Sequence, residues 1–314
     1  ARAGAGRWEG EKSFAWMLRL PSAVAGIATA LLVAWWMWQW RRSRWEAFLA
    51  GMIVATMRPI FFHAFRTGEM DGLLTLFVVA ALYCWWRAVE HPTPSRSPSP
   101  AASIGAGRWE GEEKRGWWLA FCGATIGLAV MTKSAAGLLP LPIIATHALL
   151  TGGWRHFRFR EFIILHSSFI ILVAPWHIAM TALHGTTFWN DYIGWHVVKR
   201  ATEVLHNESA GTWWYVGTFA RRFTPYTYWF VPALLYFIPS ALHAWRNRRR
   251  SAPDYSPLTT HHSPFTTESL LLTWFLIGFA LFTLAKTKFD WYLLPLYPAA
   301  VMLFALRGIL HGVS

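Results

Sequence analysis

The chain has 314 residues, of which 54% are hydrophobic and only 14% are charged, and its mean hydropathy is +0.29. Soluble domains carry about 25% charged residues, so this composition excludes an ordinary soluble protein. The 29 Lys and Arg residues exceed the 16 Asp and Glu residues. They stand in short clusters between apolar runs, as membrane topology requires, and this arrangement argues against nucleic-acid binding.

About 20 apolar residues cross a bilayer core as a helix. Nine apolar runs predict an all-α, polytopic transmembrane helix bundle, and they cover residues 20–40, 45–65, 72–90, 117–131, 135–150, 161–183, 226–245, 270–286 and 289–310. The fourth and fifth runs are short, so one bent re-entrant hairpin is the alternative for that pair.

The distribution of Lys and Arg predicts the orientation of these spans. The ends of the odd-numbered runs, with the connections after them, hold 16 cations, whereas the opposite side holds eight without the N-terminal tail. The cation-rich side is therefore predicted to be cytoplasmic. Residues 1–13 then form a basic tail on the outer side, against the rule. Because the chain also starts with Ala1 rather than Met, we expect an upstream helix to be missing.

Three connections stand out within the transmembrane domain predicted over residues 14–310. Residues 91–115 and 246–267 are rich in Pro, Ser and Thr, which predicts flexible cytoplasmic segments. The sequence GAGRWEGE at 4–11 recurs at 105–112 and indicates an inserted low-complexity tract. The outer loop at 184–224 contains six Trp and Tyr residues. A loop of this length suggests a substrate surface, and an interfacial helix is the alternative.

Ionisable side chains near the outer ends of spans are the candidate functional residues, because charge is costly in a membrane. Arg66 and Asp71 bracket the start of the third run, where a helix-capping role is the alternative for Asp71. Lys133 follows the fourth run in GLAVMTKS (127–134). A lysine that extends its ammonium to the interface is the alternative there.

Two further motifs carry candidate residues. His196 and Arg200 lie four residues apart in WHVVKR (195–200), so they share a helix face. A histidine beside an arginine suits a metal ligand next to a phosphate-binding cation, and a structural histidine is the alternative. The motif KTKFDWYLLPLYP (286–298) starts a helix with cations and two prolines, which kink a membrane helix and shape a cavity. Ordinary interfacial anchoring is the alternative.

Together these motifs resemble the superfamily of dolichyl-phosphate-mannose protein mannosyltransferases and lipid A aminoarabinose transferases. RLPSAVAG (19–26) is similar to the start of its second helix, and RTGEMDGL (66–73) to its Arg-then-Asp element. GLAVMTKS is similar to its Gly-Leu-Ala-x-x-x-Lys-Gly element, with Ser134 in place of the usual Gly. Residues 196–200 with TWWY (212–215) resemble its outer-loop pattern, and residues 288–298 its Lys-x-x-x-Tyr-Leu-Leu-Pro-x-x-Pro ending.

The resemblance implies a GT-C membrane fold embedded in the lipid bilayer of a bacterial inner or plasma membrane. It implies a glycosyltransferase that moves a sugar from a polyprenyl-phosphate donor to an acceptor hydroxyl of a protein, lipid A or another glycan, on the extracytoplasmic face. By resemblance, Asp71 and Arg66 are catalytic, and His196 matches a divalent-metal position. The donor phosphate is assigned to Lys133, Arg200 and Lys288, and the cavity lining to Tyr292, Trp214 and Tyr215.

The family places its main catalytic carboxylates in a loop that would precede Phe14, and Glu9 and Glu11 do not match that pattern. We therefore expect this chain to lack its general base and a metal partner for His196. A secondary transporter is the alternative from another class, although the spans show no related halves. An inactive fragment that retains only lipid-phosphate binding is a further alternative.

Overall fold

The computed structural model describes residues 5–65, 68–90, 106–152, 157–203, 211–228, 230–232, 234–235 and 267–308. These residues form helices and turns, with no strand among them, as the sequence predicts. The helices are α1 (Ala5–Arg41), α2 (Arg44–Thr56), α3 (Asp71–Glu90), α4 (Ala106–Lys133), α5 (Pro140–Thr151), α6 (Phe159–Trp189), α7 (Trp214–Arg222), α8 (Thr267–Leu284) and α9 (Tyr297–Gly308). Two wider π-helices (Ile60–Phe65 and Asn190–Lys199) and two tighter 3-10 helices (Ser134–Leu138 and Asp290–Leu296) join them.

Five helices among the described residues are long and apolar enough to cross a bilayer. They cover Met17–Arg41, Asp71–Val89, Glu113–Leu138, Phe159–Thr202 and Thr267–Leu284, and each overlaps a predicted span. The prediction of about nine spans is not confirmed. Three of the other runs are divided at prolines, which interrupt the helical hydrogen bonds, and the run at 226–245 lies mostly outside the described residues.

Several predicted connections turn out to be helical. Residues 5–13 belong to α1 rather than to a tail, and residues 106–115 belong to α4 rather than to a loop. Both copies of the GAGRWEGE repeat thus contribute to the first turns of a long helix, because extending an existing helix is far easier than nucleating one. Residues 91–105 and nearly all of the predicted linker at 246–267 lie outside the described residues.

The predicted outer loop at 184–224 also begins as a helix. The backbone continues from α6 through the π-helix and a last helical turn at Arg200–Thr202. A bend at Gly185, which has a positive φ of 55°, re-aims this extension, and glycine tolerates that conformation because it has no Cβ. The extension carries the WHVVKR motif to the site described below.

Burial separates a central helix from a peripheral one. The most apolar stretch of α3 is 72% buried, whereas that of Phe159–Thr202 is only 6% buried. An apolar helix that is exposed all round has its side chains solvated by lipid. Around α3 the core is aromatic, with Trp36 stacked on Trp274 at 6.2 Å between ring centroids. Cys84 and Cys122 are buried free thiols.

Candidate functional site

A cavity of about 900 Å³ lies where the first turn of α3, the end of α4, the π-helix at Asn190–Lys199 and the 3-10 helix at Asp290–Leu296 meet. Most of its wall is apolar. Its polar wall is formed by side chains from all four of these elements and from the segment before the 3-10 helix, namely Asp71, Thr132, Lys133, Ser134, Tyr192, His196, Arg200, Thr287 and Tyr292. An apolar cavity with a few convergent polar groups is the usual form of a ligand site.

An ion pair joins the two predicted residues that lie deepest in this wall. The Lys133 ammonium donates to Oδ1 of Asp71, whose side chain is 4% exposed, whereas the Lys133 side chain is 27% exposed. Asp71 is also the first residue of α3, where the helix dipole favours a negative charge. The capping and functional interpretations of Asp71 therefore hold together, and the ammonium is fixed at the cavity surface.

The backbone after Lys133 is strained. Ser134 has a φ of +51°, in the left-handed region that costs a residue with a side chain about 1–2 kcal/mol. Its hydroxyl oxygen is buried and has no hydrogen-bond partner among the described residues. The glycine that the family pattern has at this position would adopt the same conformation without strain. The sharp turn ends α4 at Lys133, and the 3-10 helix that follows continues along the cavity wall.

A second cation approaches the same cavity from the helical extension of α6. The guanidinium of Arg200 donates to the hydroxyl of Tyr292 at 3.2 Å, and the Lys133 ammonium lies 5.9 Å from the centre of the same ring. The Arg200 backbone is fixed as well, because its carbonyl accepts from the N–H of Thr287 at 3.1 Å. Tyr292 is therefore in contact with both cations, with Arg200 at its hydroxyl and Lys133 over its ring.

The second oxygen of Asp71 faces a histidine that the sequence reasoning did not select. Nε2 of His63, in the π-helix Ile60–Phe65, lies 3.5 Å from Oδ2 of Asp71 and 2.8 Å from Oε2 of Glu69. The His63 ring stacks on Trp291, with 4.9 Å between centroids and 14° between planes. A histidine at the end of an apolar run, followed by two carboxylates within eight residues, was the signal in the sequence.

The structure does not bring Lys288 to the cavity wall. Its ammonium donates to the carbonyl of Thr283 at 2.9 Å and to that of Ala285, at the end of α8. This position is 3% exposed, and burial lowers the pKa of Lys288 below its ordinary value. The side chain completes a helix C-terminus, where unpaired carbonyls favour a cation, rather than facing a ligand.

Trp214 and Tyr215 are not in the cavity wall either. Tyr215 is fully buried and both donates to the carbonyl and accepts from the N–H of Phe289, at 3.2 Å. Burial raises its pKa above the ordinary value. Trp214 is half-buried against the same core. The TWWY motif thus anchors the segment before the 3-10 helix, and of the three predicted lining residues only Tyr292 lines the cavity.

The remaining two predicted residues have different outcomes. Arg66 lies outside the described residues. His196 lines the cavity beside Arg200, as the shared helix face predicts. Among the described residues, however, no group of three metal-ligating side chains includes His196; the group found there is His63, Glu69 and Asp71. The described residues around His196 therefore do not by themselves form a metal site.

Sequence comparison identifies the relatives of this chain. A profile of the family Dolichyl-phosphate-mannose-protein mannosyltransferase matches residues 3–189, more than half of the chain. The undecaprenyl phosphate-alpha-4-amino-4-deoxy-L-arabinose arabinosyl transferase of Erwinia tasmaniensis is 24% identical over 310 residues, covering 97% of this chain and 47% of the relative. The transferase of the same name from Aeromonas hydrophila is 26% identical over 303 residues, 96% of this chain and 47% of the relative.

Structural comparison gives the same result for the fold. ArnT from Cupriavidus metallidurans bound to undecaprenyl phosphate superposes with a TM-score of 0.65 at 20% identity, over 93% of this chain and 46% of that one. The oligosaccharyltransferase of Archaeoglobus fulgidus superposes with a TM-score of 0.53 at 16% identity, over 92% of this chain and 39% of that one. The chain thus spans about half the length of the relatives it matches.

The family profile, the order of the motifs and the helical fold agree with one another. The chain belongs to the dolichyl-phosphate-mannose-protein mannosyltransferase family and has the GT-C membrane fold.

Proposed function

We propose that this chain is the membrane part of a glycosyltransferase that takes its sugar from a polyprenyl-phosphate carrier. The observation that carries the proposal is the convergence of Lys133 and Arg200 on Tyr292 within one largely apolar cavity. The names of the relatives support the class of donor, because each is an undecaprenyl phosphate-aminoarabinose transferase.

Two cations on one wall match the charge of such a donor. A sugar linked to a polyprenyl phosphate is a phosphodiester with one negative charge. When the bond between the anomeric carbon and the phosphate oxygen breaks, the carrier leaves as a phosphate monoester with close to two negative charges. Lys133 and Arg200 therefore stabilise the transition state more than the bound donor, which is the condition for catalysis.

Asp71 has a positioning role in this scheme. Its Oδ1 accepts from Lys133, its Oδ2 faces His63, and its side chain is only 4% exposed, so it is poorly placed to take the proton of an acceptor hydroxyl. A general base must lie within about 3 Å of that hydroxyl. Asp71 instead holds the ammonium at the cavity surface, where a phosphate oxygen replaces bulk water as its partner.

The remaining wall suits the lipid carrier. Leu74, Val130, Leu139, Leu281 and Phe282 are among the apolar side chains that line the cavity, next to helices that are themselves exposed to lipid. Each CH₂ group of an isoprenoid chain is about 0.8 kcal/mol more stable in apolar surroundings than in water, so the chain lies against this wall or in the bilayer rather than in solvent. The donor would thus bind with its phosphate at Lys133 and Arg200 and its tail towards the bilayer.

The reaction face follows from the distribution of charge. The candidate cations stand at the side of the helices that is poorer in Lys and Arg, which topology rules place outside the cytoplasm. We accordingly propose transfer at the extracytoplasmic face of a bacterial inner or plasma membrane. The acceptor hydroxyl belongs to a protein, lipid A or another glycan.

A transfer assay tests the proposal. Membranes that contain the complete protein are incubated with radiolabelled polyprenyl-phosphate sugars, and loss of donor and appearance of labelled product are measured. Lys133→Ala and Arg200→Ala are expected to lower donor use by about 10²–10³-fold, as removal of a transition-state charge partner does. Lys199→Ala is the matched control, because Lys199 adjoins Arg200 but lies 4.6 Å over the Trp195 ring.

The outcomes separate the alternatives. Donor turnover that falls in the two cavity variants and not in the control supports the enzyme. Stoichiometric donor binding without turnover by the complete protein would leave only a lipid-phosphate-binding function. If the two cavity variants use donor as well as the wild type does, these cations do not hold the phosphate.

A further inference from the structure

The side chains of His63, Glu69 and Asp71 form a cluster on the side of Asp71 that faces away from Lys133. Their ligating atoms all lie within 4.8 Å of one another. The motif reasoning assigned none of these residues to a metal. From this geometry we propose that the three side chains bind one divalent transition-metal ion, with Nε2 of His63, Oε2 of Glu69 and Oδ2 of Asp71 as its ligands.

The spacing of the ligand atoms fits such an ion. Zinc binds imidazole nitrogen and carboxylate oxygen at about 2.0–2.2 Å, so two neighbouring ligand atoms lie about 2.8–3.6 Å apart at octahedral or tetrahedral angles. The two distances from Nε2 of His63, 2.8 Å to Glu69 and 3.5 Å to Asp71, fall within that range. Small rotations of the half-exposed Glu69 side chain bring all three atoms around one ion.

The count of protons favours a metal over hydrogen bonding alone. Nε2 of His63 carries at most one proton, and one N–H serves one good acceptor. The contact to Glu69 has hydrogen-bond length, but 3.5 Å to Asp71 is too long for a second strong bond. Lys133 compensates the charge of Asp71, but Oε2 of Glu69 and Oδ2 of Asp71 still face one ring nitrogen. A divalent ion binds the nitrogen and both oxygens at once, whereas a single N–H serves one acceptor.

The cluster is held in place by its surroundings. The His63 ring is stacked on Trp291, which fixes the ring plane. The backbone at Glu69 is tied to α1, because its carbonyl accepts from the hydroxyl of Ser22 at 2.6 Å. Asp71 starts α3 and is almost fully buried. A site on rigid supports loses little entropy when it binds its ion.

The exposure of the ligands indicates a site with an open position. The Asp71 side chain is 4% exposed and that of His63 19%, but that of Glu69 is 50% exposed. Three protein ligands with one side open to solvent are typical of catalytic and substrate-binding metal sites, whereas structural zinc sites are closed by four ligands. One imidazole and two carboxylates suit Zn²⁺ or Mn²⁺ rather than a soft, thiolate-binding metal.

The proposed site is separate from the metal position that the family resemblance assigns to His196. It shares Asp71 and Trp291 with the cavity wall, so a bound ion would adjoin the donor site without using His196. The proposal does not depend on which sugar is carried or whether transfer occurs, because binding of the metal alone is measurable.

Zinc binding by the purified full chain tests the proposal. The tag-free protein in detergent is treated with chelator, dialysed and titrated with Zn²⁺ in a calorimeter, and bound zinc is measured after a second dialysis. The wild type is expected to bind one equivalent. His63→Ala and Glu69→Gln are expected to weaken binding by at least about tenfold, since even losing a group that only orients a ligand has an effect of about 10–100-fold.

His196→Ala is the matched control, because it removes a histidine from another wall of the same cavity and is expected to leave zinc binding unchanged. Melting temperatures measured in chelator identify any variant that fails to fold, and Glu69→Gln, at a half-exposed position, keeps the test decisive if His63→Ala does not fold. The proposal is overturned if the wild type binds no stoichiometric zinc, or if His196→Ala weakens binding as much as the His63 and Glu69 variants do. A lost transfer activity with intact zinc binding would count against the proposed function alone.

Discussion

Replacing Lys133 by Met is expected to destabilise the protein through the carboxylate that it leaves behind. The Asp71 side chain is 4% exposed, and its Oδ1 loses the Lys133 ammonium with which it forms an ion pair. Removing one member of a buried ion pair costs about 3–5 kcal/mol. Because the Lys133 side chain is 27% exposed and His63 approaches the other oxygen at 3.5 Å, we expect a value near the lower end of that range, about 3 kcal/mol.

The assay is a melting curve of the purified protein in detergent, followed by the fluorescence of its 22 Trp residues. For a chain of this size, about 3 kcal/mol corresponds to a fall in the apparent Tm on the order of 5–10 °C. The double variant Asp71→Asn/Lys133→Met removes both charges, so it is expected to recover at least half of this loss. Donor use, which needs the ammonium itself, is expected to stay low in both variants.

Recovery of stability without recovery of donor use is therefore the signature of this pair. The coupling energy between the two sites should be about 1–3 kcal/mol, the range found for residues in direct contact. If the double variant is instead as unstable as the sum of the two single variants, the two side chains do not interact in the folded protein. The assignment of Asp71 as the residue that positions Lys133 would then be wrong.

Two further variants test single positions. Ser134→Gly should raise the apparent Tm, because it removes the strain of a side chain at a φ of +51° and a buried hydroxyl without a partner among the described residues. The expected gain in the free energy of unfolding is about 1 kcal/mol after the added entropy of glycine in the unfolded chain. An equal or lower Tm would contradict this prediction. Lys288 has a pKa lowered by burial, so its charge opposes folding until the pH rises through that pKa towards the unfolded value. The difference in Tm between wild type and Lys288→Met should accordingly shift in favour of the wild type as the pH rises towards about 10, the ordinary range of a lysine pKa, and a difference independent of pH would show that Lys288 is not buried as a cation.

The sequence predicted the class of fold and much of the cavity for a physical reason. Long apolar runs must be helical in a bilayer, because every backbone polar group has to be paired within its own segment. Charged residues at the ends of such runs are costly, so Asp71, Lys133 and Arg200 stood out one by one, and the order of their motifs indicated the family. The structure brings these three residues together in one wall.

The number of spans was harder to predict, because hydropathy does not report where a helix is interrupted. Residues 45–65 are apolar throughout, but α2 ends at Thr56 and a π-helix begins at Ile60, on either side of the segment that contains Pro59. The same limit applies to the aromatic residues. Trp214 and Tyr215 are residue types typical of a substrate surface. In the structure Tyr215 instead bonds the backbone of Phe289, and Trp214 packs against the core.

His63 lies near the end of the apolar run 45–65, shortly before Glu69 and Asp71, but the sequence pattern does not predict the turn that brings these three side chains together. Only the π-helix, whose wider turn changes the direction of side chains within one or two residues, places its Nε2 opposite Glu69 and Asp71. Lys288 was predicted to hold the donor phosphate, but the structure does not place it in the cavity wall. Its neighbours in sequence face the cavity, but its own side chain turns back to the end of α8.

Asp71 lies between two functions, since one of its oxygens faces Lys133 and the other faces His63. Asp71→Asn separates them, because an amide has one acceptor and one donor end. The amide oxygen can accept from Lys133, and the NH₂ group can then donate to Glu69. This variant is therefore expected to keep more donor use than Lys133→Met while it binds Zn²⁺ as weakly as His63→Ala, because an amide nitrogen is not a metal ligand. Zinc binding and donor use are measured on the same variants. Tight zinc binding by Asp71→Asn would remove Asp71 from the proposed metal site. Donor use as low as that of Lys133→Met would mean that the negative charge of Asp71, and not only its acceptor oxygen, is needed to hold the ammonium in the cavity.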